Sequence, residues 1–478
     1  MTSLLVPEGF QPVGKTAHDG EESAFGLIRS SIGEDALLVC GPAASGFEGE
    51  PTADGKRCPL SPEAARKLAG CLPWLRPRQF PTGEPSFGFG DRLGLATPGH
   101  IRSFVGHEVF PVLAQQSVRE NARTGRTFAT VLADAVFAVL REGFQGGFGA
   151  DADHLKEITD AEEAARLGYT LFTCDPGDLL VDPSSLGEDE IKRRFSALDR
   201  QGDLKRRYVE TTFAVDSTLV LHFTENDLSR TAVKYANALD RAVAMYEAIG
   251  EIRGDAFDYE VSVDETDDPT TPLEHLYVAL ELKRRGVRVA SLAPRFVGAI
   301  EKGVDWRGDR AEFGRQLERH ARIARSVGEY RLSLHSGSDK YSIYPDLVRA
   351  TGGNCHIKTA GTSYLVALEV IATHAPALFR EILASAKVAF ANDSATYHIS
   401  ADPERVPDPE NVPDADLRQI VERHDGRQLL HVTFGTIVRG PLRDDFRNVL
   451  VENEQAHFEA LAHHMRRHLD AMEGRADG

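Results

Sequence analysis

Short apolar segments that end on polar residues alternate along this chain with longer segments of helical periodicity. The apolar segments lie at residues 85–90, 146–151, 169–175, 257–266, 287–294, 329–337, 354–361 and 427–435. Apolar residues at i, i+3 and i+4 predict helices over 128–142, 228–249, 273–285, 310–327 and 363–373. Strands that alternate with helices indicate a parallel α/β fold, and a count of eight favours a closed barrel. We therefore predict a (β/α)8 barrel of the TIM type.

The predicted barrel spans residues 81–440 and has a further segment on each side. Residues 1–80 are rich in Gly, Pro and turn signals, and we expect an N-terminal extension packed on the barrel. Within it, a strand is predicted at 36–40 and a helix at 62–72. Residues 441–478 are predicted as a C-terminal helical segment, because 454–473 carry apolar residues on one face.

Composition argues against several classes of function. The net charge of −18 disfavours a broad nucleic-acid-binding surface. No apolar run reaches the roughly 18 residues of a membrane span, and the N-terminus lacks the pattern of a signal peptide. The five cysteines are odd in number and show no CxxC spacing, which is typical of free thiols in a reducing compartment. We expect a cytoplasmic protein without nucleic-acid or membrane partners, and its oligomeric state stays open.

Polar side chains follow most of the predicted strands, at the end of a barrel where active sites form. They are Asp91, Arg92, His100, Asp151, Asp153, His154, Asp175, Asp264, Glu265, His335, Ser336, Ser338, Asp339, Lys340, His356, Lys358 and Thr359. Several of these carboxylates, Asp175 above all, are typical helix N-caps. A single histidine beside an apolar run is usually a packed core residue, but three at three strand ends favour a metal site.

We predict His154, His335 and His356 as ligands of a divalent ion such as zinc or manganese. Because neighbours on a strand face opposite sides, Asp153 and His154 reach one site only if the strand ends at Ala152. The remaining polar residues are expected to hold the substrate, with cations binding an anionic group. The predicted substrate contacts are Arg92, Ser336, Ser338, Asp339, Lys340 and Lys358.

Five segments, at 88–100, 149–156, 333–345, 356–365 and 429–435, resemble the tagaturonate/fructuronate epimerase family. The resemblance spans Phe87 to Gly435 and implies a metal-dependent barrel enzyme that interconverts two keto-hexuronates differing at one hydroxyl-bearing carbon. Asp153-His154 and the segment 335–338 are also similar to class II sugar-phosphate aldolases, in which the Asp is a base and the His residues bind metal. Ser336 stands where those aldolases have glycine, so Lys340 is expected to bind a carboxylate instead of the loop binding phosphate.

The inverted carbon lies β to the substrate ketone, so enolisation does not acidify its C–H bond. A retro-aldol step followed by an aldol step avoids this problem, with Asp153 as the base and Glu265 as a second acid/base. Glu265 could instead bind the metal, with His356 serving the substrate. The alternatives are a class II aldolase, a nicotinamide-dependent epimerase and a non-catalytic sugar- or metal-binding barrel. NAD is not expected, because residues 88–94 lack G-x-G-x-x-G spacing.

Overall fold

Eight parallel strands close into a barrel in the computed structural model, which describes residues 3–19, 22–395 and 397–475. The strands of the described residues are β1 (Phe10–Asp19), β2 (Ser23–Ser30), β3 (Asp35–Cys40), β4 (Glu50–Pro51), β5 (Gly55–Cys58), β6 (Ser86–Gly90), β7 (Phe110–Ser117), β8 (Gly149–Leu155), β9 (Leu171–Cys174), β10 (Phe213–Ala214), β11 (Val220–Leu221), β12 (Asp258–Val263), β13 (Ser291–Pro294), β14 (Arg331–Leu334) and β15 (Cys355–Thr359). The barrel order is β6-β7-β8-β9-β12-β13-β14-β15, and β15 pairs with β6 to close the ring. This confirms the predicted (β/α)8 fold.

The helices lie between the barrel strands and beyond β15. Those of the described residues are α1 (Pro62–Cys71), α2 (Thr97–Ser103), α3 (Val118–Thr124), α4 (Phe128–Glu142), α5 (Ile158–Leu167), α6 (Glu188–Leu198), α7 (Asp203–Tyr208), α8 (Glu225–Arg253), α9 (Pro272–Arg284), α10 (Arg310–Val327), α11 (Tyr344–Thr351), α12 (Thr362–His374), α13 (Pro376–Asp393), α14 (Arg418–Glu422), α15 (His424–Val432), α16 (Phe434–Arg439), α17 (Arg443–Glu452) and α18 (Glu454–Met472). The five helices predicted from periodicity are α4, α8, α9, α10 and α12. None of the helices in the described ranges has the length and apolar character needed to span a bilayer.

One predicted barrel strand is wrong and one barrel strand was not predicted. Seven of the eight predicted segments contribute to the barrel, but residues 427–435 fall in α15 and α16. A short apolar run does not distinguish a strand from a buried helix, which explains the error. The missing strand is β7, whose eight residues are all buried and whose last three residues are polar. These polar residues do not match the apolar pattern expected of a buried strand, and two of them, Gln115 and Ser117, line a chamber inside the barrel.

The N-terminal extension folds as an antiparallel sheet of order β1-β2-β3-β5-β4. Phe25, Leu27 and Val39 of this sheet share one apolar cluster with α4 and the barrel. Beyond β15, helices α12 to α17 form a second apolar cluster, and α18 packs against α2 and α12. The extension and the C-terminal helix therefore flank the barrel, while chain divisions at residues 80 and 440 stay predictions.

Candidate active site

Three carboxylates surround a buried lysine inside the barrel. Lys358 Nζ lies 2.7 Å from Asp151 Oδ2, 2.8 Å from Asp153 Oδ1 and 2.9 Å from Glu260 Oε1. Burial raises the pKa of Asp151 to about 7, and its carboxylate neighbours add to this shift while Lys358 opposes it. Because one ammonium group faces three carboxylates, these side chains favour a further positive charge nearby.

A bulge in β8 turns two neighbouring residues toward the same cavity inside the barrel. We call this cavity the inner chamber, and Ser336, Ser338 and Lys358 are among the residues that line it. Ala152 pairs with Phe172 and Leu155 with Cys174, so β8 has one residue more than β9 between these pairs. His154 takes up the extra residue with a left-handed φ of 52°, a conformation uncommon outside glycine. The strand does not end at Ala152, because β8 continues to Leu155, so the condition set from the sequence is not the one that the protein uses. The bulge nevertheless lets both Asp153 and His154 reach the chamber.

Two histidines and an aspartate converge above the three carboxylates. The ring centroids of His154 and His335 are 4.9 Å apart, and His335 Nδ1 lies 3.5 Å from Asp264 Oδ1. His154, Asp264 and His335 each offer one ligand atom, and these atoms all lie within 4.8 Å of one another. Two imidazole nitrogens and a carboxylate oxygen are ligands that suit zinc, manganese and related ions.

Each of these imidazoles is backed by a carboxylate from the barrel interior. His335 Nε2 lies 2.6 Å from Glu260 Oε1. His154 Nδ1 lies 2.8 Å from Asp153 Oδ1, a close ionic approach that is poorly aligned as a hydrogen bond. Metal-binding histidines commonly have such partners, which fix the tautomer and the ring orientation. His335 Nδ1 is buried and has no hydrogen-bond partner in the described part of the chain. The arrangement therefore fits a divalent cation.

Glu265 lies on the solvent side of this group. Its side chain is 37% exposed, and its carboxylate lies 3.9 Å from Arg119 and 3.8 Å from Lys156. Glu265, His154 and Asp175 form a second set whose ligand atoms lie within 4.8 Å of one another. Asp175 accepts a hydrogen bond from the Gly177 N–H at 3.0 Å, but the N-cap of the short helix that follows is Pro176, so the expected N-cap role of Asp175 is wrong.

His356 is not brought together with the other two predicted ligands. It is the second residue of β15 and lies two positions before Lys358, deeper in the barrel. Its Nδ1 lies 3.0 Å from Ser86 Oγ, and its ring centroid lies 5.3 Å from that of Phe80. Burial lowers the pKa of His356 to about 3, so the imidazole is neutral there. The carboxylate of Asp264, and not His356, offers the ligand atom that lies close to those of His154 and His335.

The predicted substrate contacts divide into two groups. Ser336, Ser338, Lys358 and Arg92 line the inner chamber together with His154. Arg92 is already engaged, because its guanidinium lies 2.8 Å from Glu120 Oε1 and donates to the His431 carbonyl at 3.0 Å.

Asp339 and Lys340 do not line the chamber. Lys340 is fully buried and donates to the carbonyls of Glu301, Val304 and Ser338 at 2.5 to 2.9 Å. Asp339 lies 2.8 Å from Arg427 and 3.0 Å from His464 Nε2, which ties its loop to α15 and α18. A role for these two residues as substrate contacts stays a prediction, and the structure places both of them in contacts that hold the loop.

Several residues of the chamber were not predicted as site residues. A cleft of about 880 Å³ opens from the chamber to solvent, and it is lined by Arg119, Lys302 and Asp264 among others. Glu260 and Asp264 carried a usable signal, because polar residues at every second position of a strand indicate an inward face. Lys302 lies in the loop after β13 and Arg119 in α3, where charged residues are common and no pattern marks them.

Known proteins resemble this chain over almost its whole length. A family model described as tagaturonate epimerase matches residues 32–472. A tagaturonate/fructuronate epimerase of Thermotoga maritima is 42% identical over 473 residues, which is 98% of each chain. The native crystal structure of a fructuronate-tagaturonate epimerase of Cohnella laeviribosi has a TM-score of 0.91 at 35% identity, covering 96% of this chain and 97% of that one. A structure of the same enzyme complexed with two glycerol molecules has a TM-score of 0.90 at 36% identity and covers 95% of each chain.

Proposed function

This chain belongs to the tagaturonate epimerase family, and from that premise we propose that it interconverts D-tagaturonate and D-fructuronate by inverting C4 of the keto-hexuronate. The observation that carries the proposal is the convergence of His154, Asp264 and His335, with a carboxylate behind each imidazole. The chamber also opens into a cleft with room for a six-carbon acid. A cytoplasmic location stays a prediction.

We assign His154, Asp264 and His335 as the ligands of a divalent cation, with zinc or manganese as the first candidates. When bound, such a cation polarises a ketone and its neighbouring hydroxyl and stabilises the negative charge that develops there. Glu260 and Asp153 orient the two imidazoles. Lys358 holds Asp151, Asp153 and Glu260 in place deeper in the barrel. Two of these carboxylates, Asp153 and Glu260, in turn position the imidazoles of the proposed ligands.

The proposed route is retro-aldol cleavage followed by aldol addition. A base takes the proton of the C4 hydroxyl, the C3–C4 bond breaks, and its electron pair passes to the ketone as an enolate. The C4 aldehyde then presents its other face, the C3–C4 bond forms again, and the proton returns to the C4 oxygen. Glu265 is our acid/base for this transfer, because it borders the cleft beside His154 and Asp264 and its side chain is 37% exposed.

The test pairs metal analysis with an epimerase assay on fructuronate. We expect about one equivalent of a divalent metal per chain, loss of turnover with a chelator and recovery when metal is returned. Turnover that survives complete metal removal would reject the metal-dependent route.

The same assay separates the alternatives. Release of three-carbon fragments that can be trapped from solution would indicate a class II aldolase. Nicotinamide absorbance in the purified protein would favour oxidation and reduction at C4.

A further inference from the structure

The cations that the sequence predicts as substrate contacts already have partners. Lys358 faces three carboxylates, Lys340 donates to three backbone carbonyls, and Arg92 is held by Glu120. A keto-hexuronate carries a full negative charge at the end of its chain. Its carboxylate therefore needs cationic groups other than these three.

Lys302 and Arg119 are cations of the chamber that lack a close carboxylate. Lys302 Nζ donates to Ser336 Oγ at 2.6 Å, and no carboxylate of a described residue lies within 4.0 Å of it. The carboxylate nearest to Arg119 is that of Glu265 at 3.9 Å. The Nε of Arg119 is buried and has no hydrogen-bond partner in the part of the chain that the structure describes. Both side chains line the inner chamber and the outer cleft.

The positive charge of Lys302 is disfavoured in the free protein. Burial and the neighbouring Arg119 lower the pKa of Lys302. Lys302 has no carboxylate within 4.0 Å among the described residues to offset this repulsion, and an incoming carboxylate would offset it. The floor of the chamber has the opposite character, because three carboxylates surround Lys358 there. The chamber thus has a carboxylate-rich end and a cationic end.

We propose that Lys302 and Arg119 form the subsite for the substrate carboxylate and make the enzyme select sugar acids over neutral ketoses. The identity of the substrate rests on the proposed function, whereas the subsite itself rests on the contacts above. The ketone end of the chain then lies against His154, Asp264 and His335. Arg119 supplies a planar fork for the two carboxylate oxygens, and Lys302 supplies a point charge that Ser336 holds in place.

The test uses gluconate and glucitol, which share their stereochemistry and differ only in a terminal carboxylate or CH2OH. Binding of each to the purified protein is measured by titration calorimetry, so no turnover is needed. We expect gluconate to bind about 10²-fold more tightly than glucitol, as a charged hydrogen-bonded pair implies. Lys302→Met and Arg119→Met should each weaken gluconate binding about 10-fold or more and leave glucitol binding unchanged.

Matched variants separate the subsite from general effects of charge and folding. Lys302→Arg retains a cation and should keep most of the preference for gluconate. Lys205→Met removes an exposed cation that pairs with Glu225 outside the cleft, and it should bind both ligands as the wild type does. Thermal unfolding of every variant, together with its glucitol affinity, identifies any variant that fails to fold.

Three results would overturn the subsite. They are equal binding of gluconate and glucitol by the wild type, no binding of gluconate, and a preference that survives in the double variant Lys302→Met/Arg119→Met. Displacement of gluconate by inorganic phosphate at far lower concentration than by acetate would assign the site to phosphate instead. If the wild type prefers gluconate but does not epimerise fructuronate, the proposed function fails while the subsite stands.

Discussion

Replacing Asp153 with asparagine separates two roles for this carboxylate. The sequence predicts Asp153 as the catalytic base, which removes the proton from the substrate. In the structure its Oδ1 lies 2.8 Å from both Lys358 Nζ and His154 Nδ1. A carboxylate that is shared between two cationic groups is a weak proton acceptor, but it is well placed to orient an imidazole. We therefore expect Asp153→Asn to act on metal binding first.

The expected size of the effect follows from these contacts. Removing the carboxylate behind a metal-binding histidine typically weakens metal affinity about 10- to 100-fold, or roughly 1.4 to 2.7 kcal/mol. The fold should persist, since Lys358 keeps Asp151 at 2.7 Å and Glu260 at 2.9 Å. The turnover that is lost at limiting metal should return largely when metal is in excess.

The assay titrates metal into the metal-free variant by calorimetry and records turnover along the same series. Asp151→Asn is the matched control, because it makes the same carboxyl-to-amide change beside Lys358 without contacting His154. A variant that binds metal as tightly as the wild type, yet turns over at least about 10²-fold more slowly at saturating metal, would refute this reasoning. Asp153 would then be the base that the sequence predicts.

Further predictions concern the proposed metal ligands, the loop after β14 and the dependence of stability on pH. His335→Ala should lose its metal and His356→Ala should keep it, as elemental analysis of the two purified variants would show. Lys340→Met should lower the free energy of unfolding by several kcal/mol in a denaturant titration, because three buried carbonyls lose their donor, and should leave KM for the substrate near normal. Burial lowers the pKa of His320 to about 4, so the unfolded chain binds more protons below about pH 6.5 and stability is lost as pH falls. This one residue should cost about 2 kcal/mol between pH 7 and pH 5, and His320→Gln should lack that part of the pH dependence in denaturant titrations at the two pH values.

Periodicity predicted the barrel well because strands buried on both faces leave an apolar signature. It failed at β7, where Gln115, Gln116 and Ser117 continue a buried strand into the polar interior. The opposite error occurred at 427–435, where an apolar run belongs to helices packed outside the barrel, because a short apolar run does not distinguish a strand from a buried helix. Sequence alone does not distinguish a polar residue that faces a lined chamber from one that faces solvent.

The depth of a side chain in the barrel explains which of the predicted ligands lie close together and which does not. His335 and Asp264 directly follow the ends of β14 and β12, so both lie at the rim. His356 is only the second residue of β15 and lies beside Ser86 instead. Even the predicted strand, 354–361, places His356 near its start. Counting positions from the strand start would therefore have separated it from the rim.

The segment from His335 to Lys340 combines the chemistry of the chamber with the contacts that hold it in shape. Ser336 and Asp339 both have left-handed backbones, with φ of 50° and 61°, a conformation that costs energy for residues other than glycine. Such backbone strain persists only where surrounding contacts over-determine it. Lys340 provides these contacts by joining three carbonyls, and Asp339 by pairing with Arg427 and a histidine of α18. The polar residues of this segment therefore have two roles. Ser336 lines the chamber, and the buried side chains of Asp339 and Lys340 hold the strained backbone that places it there.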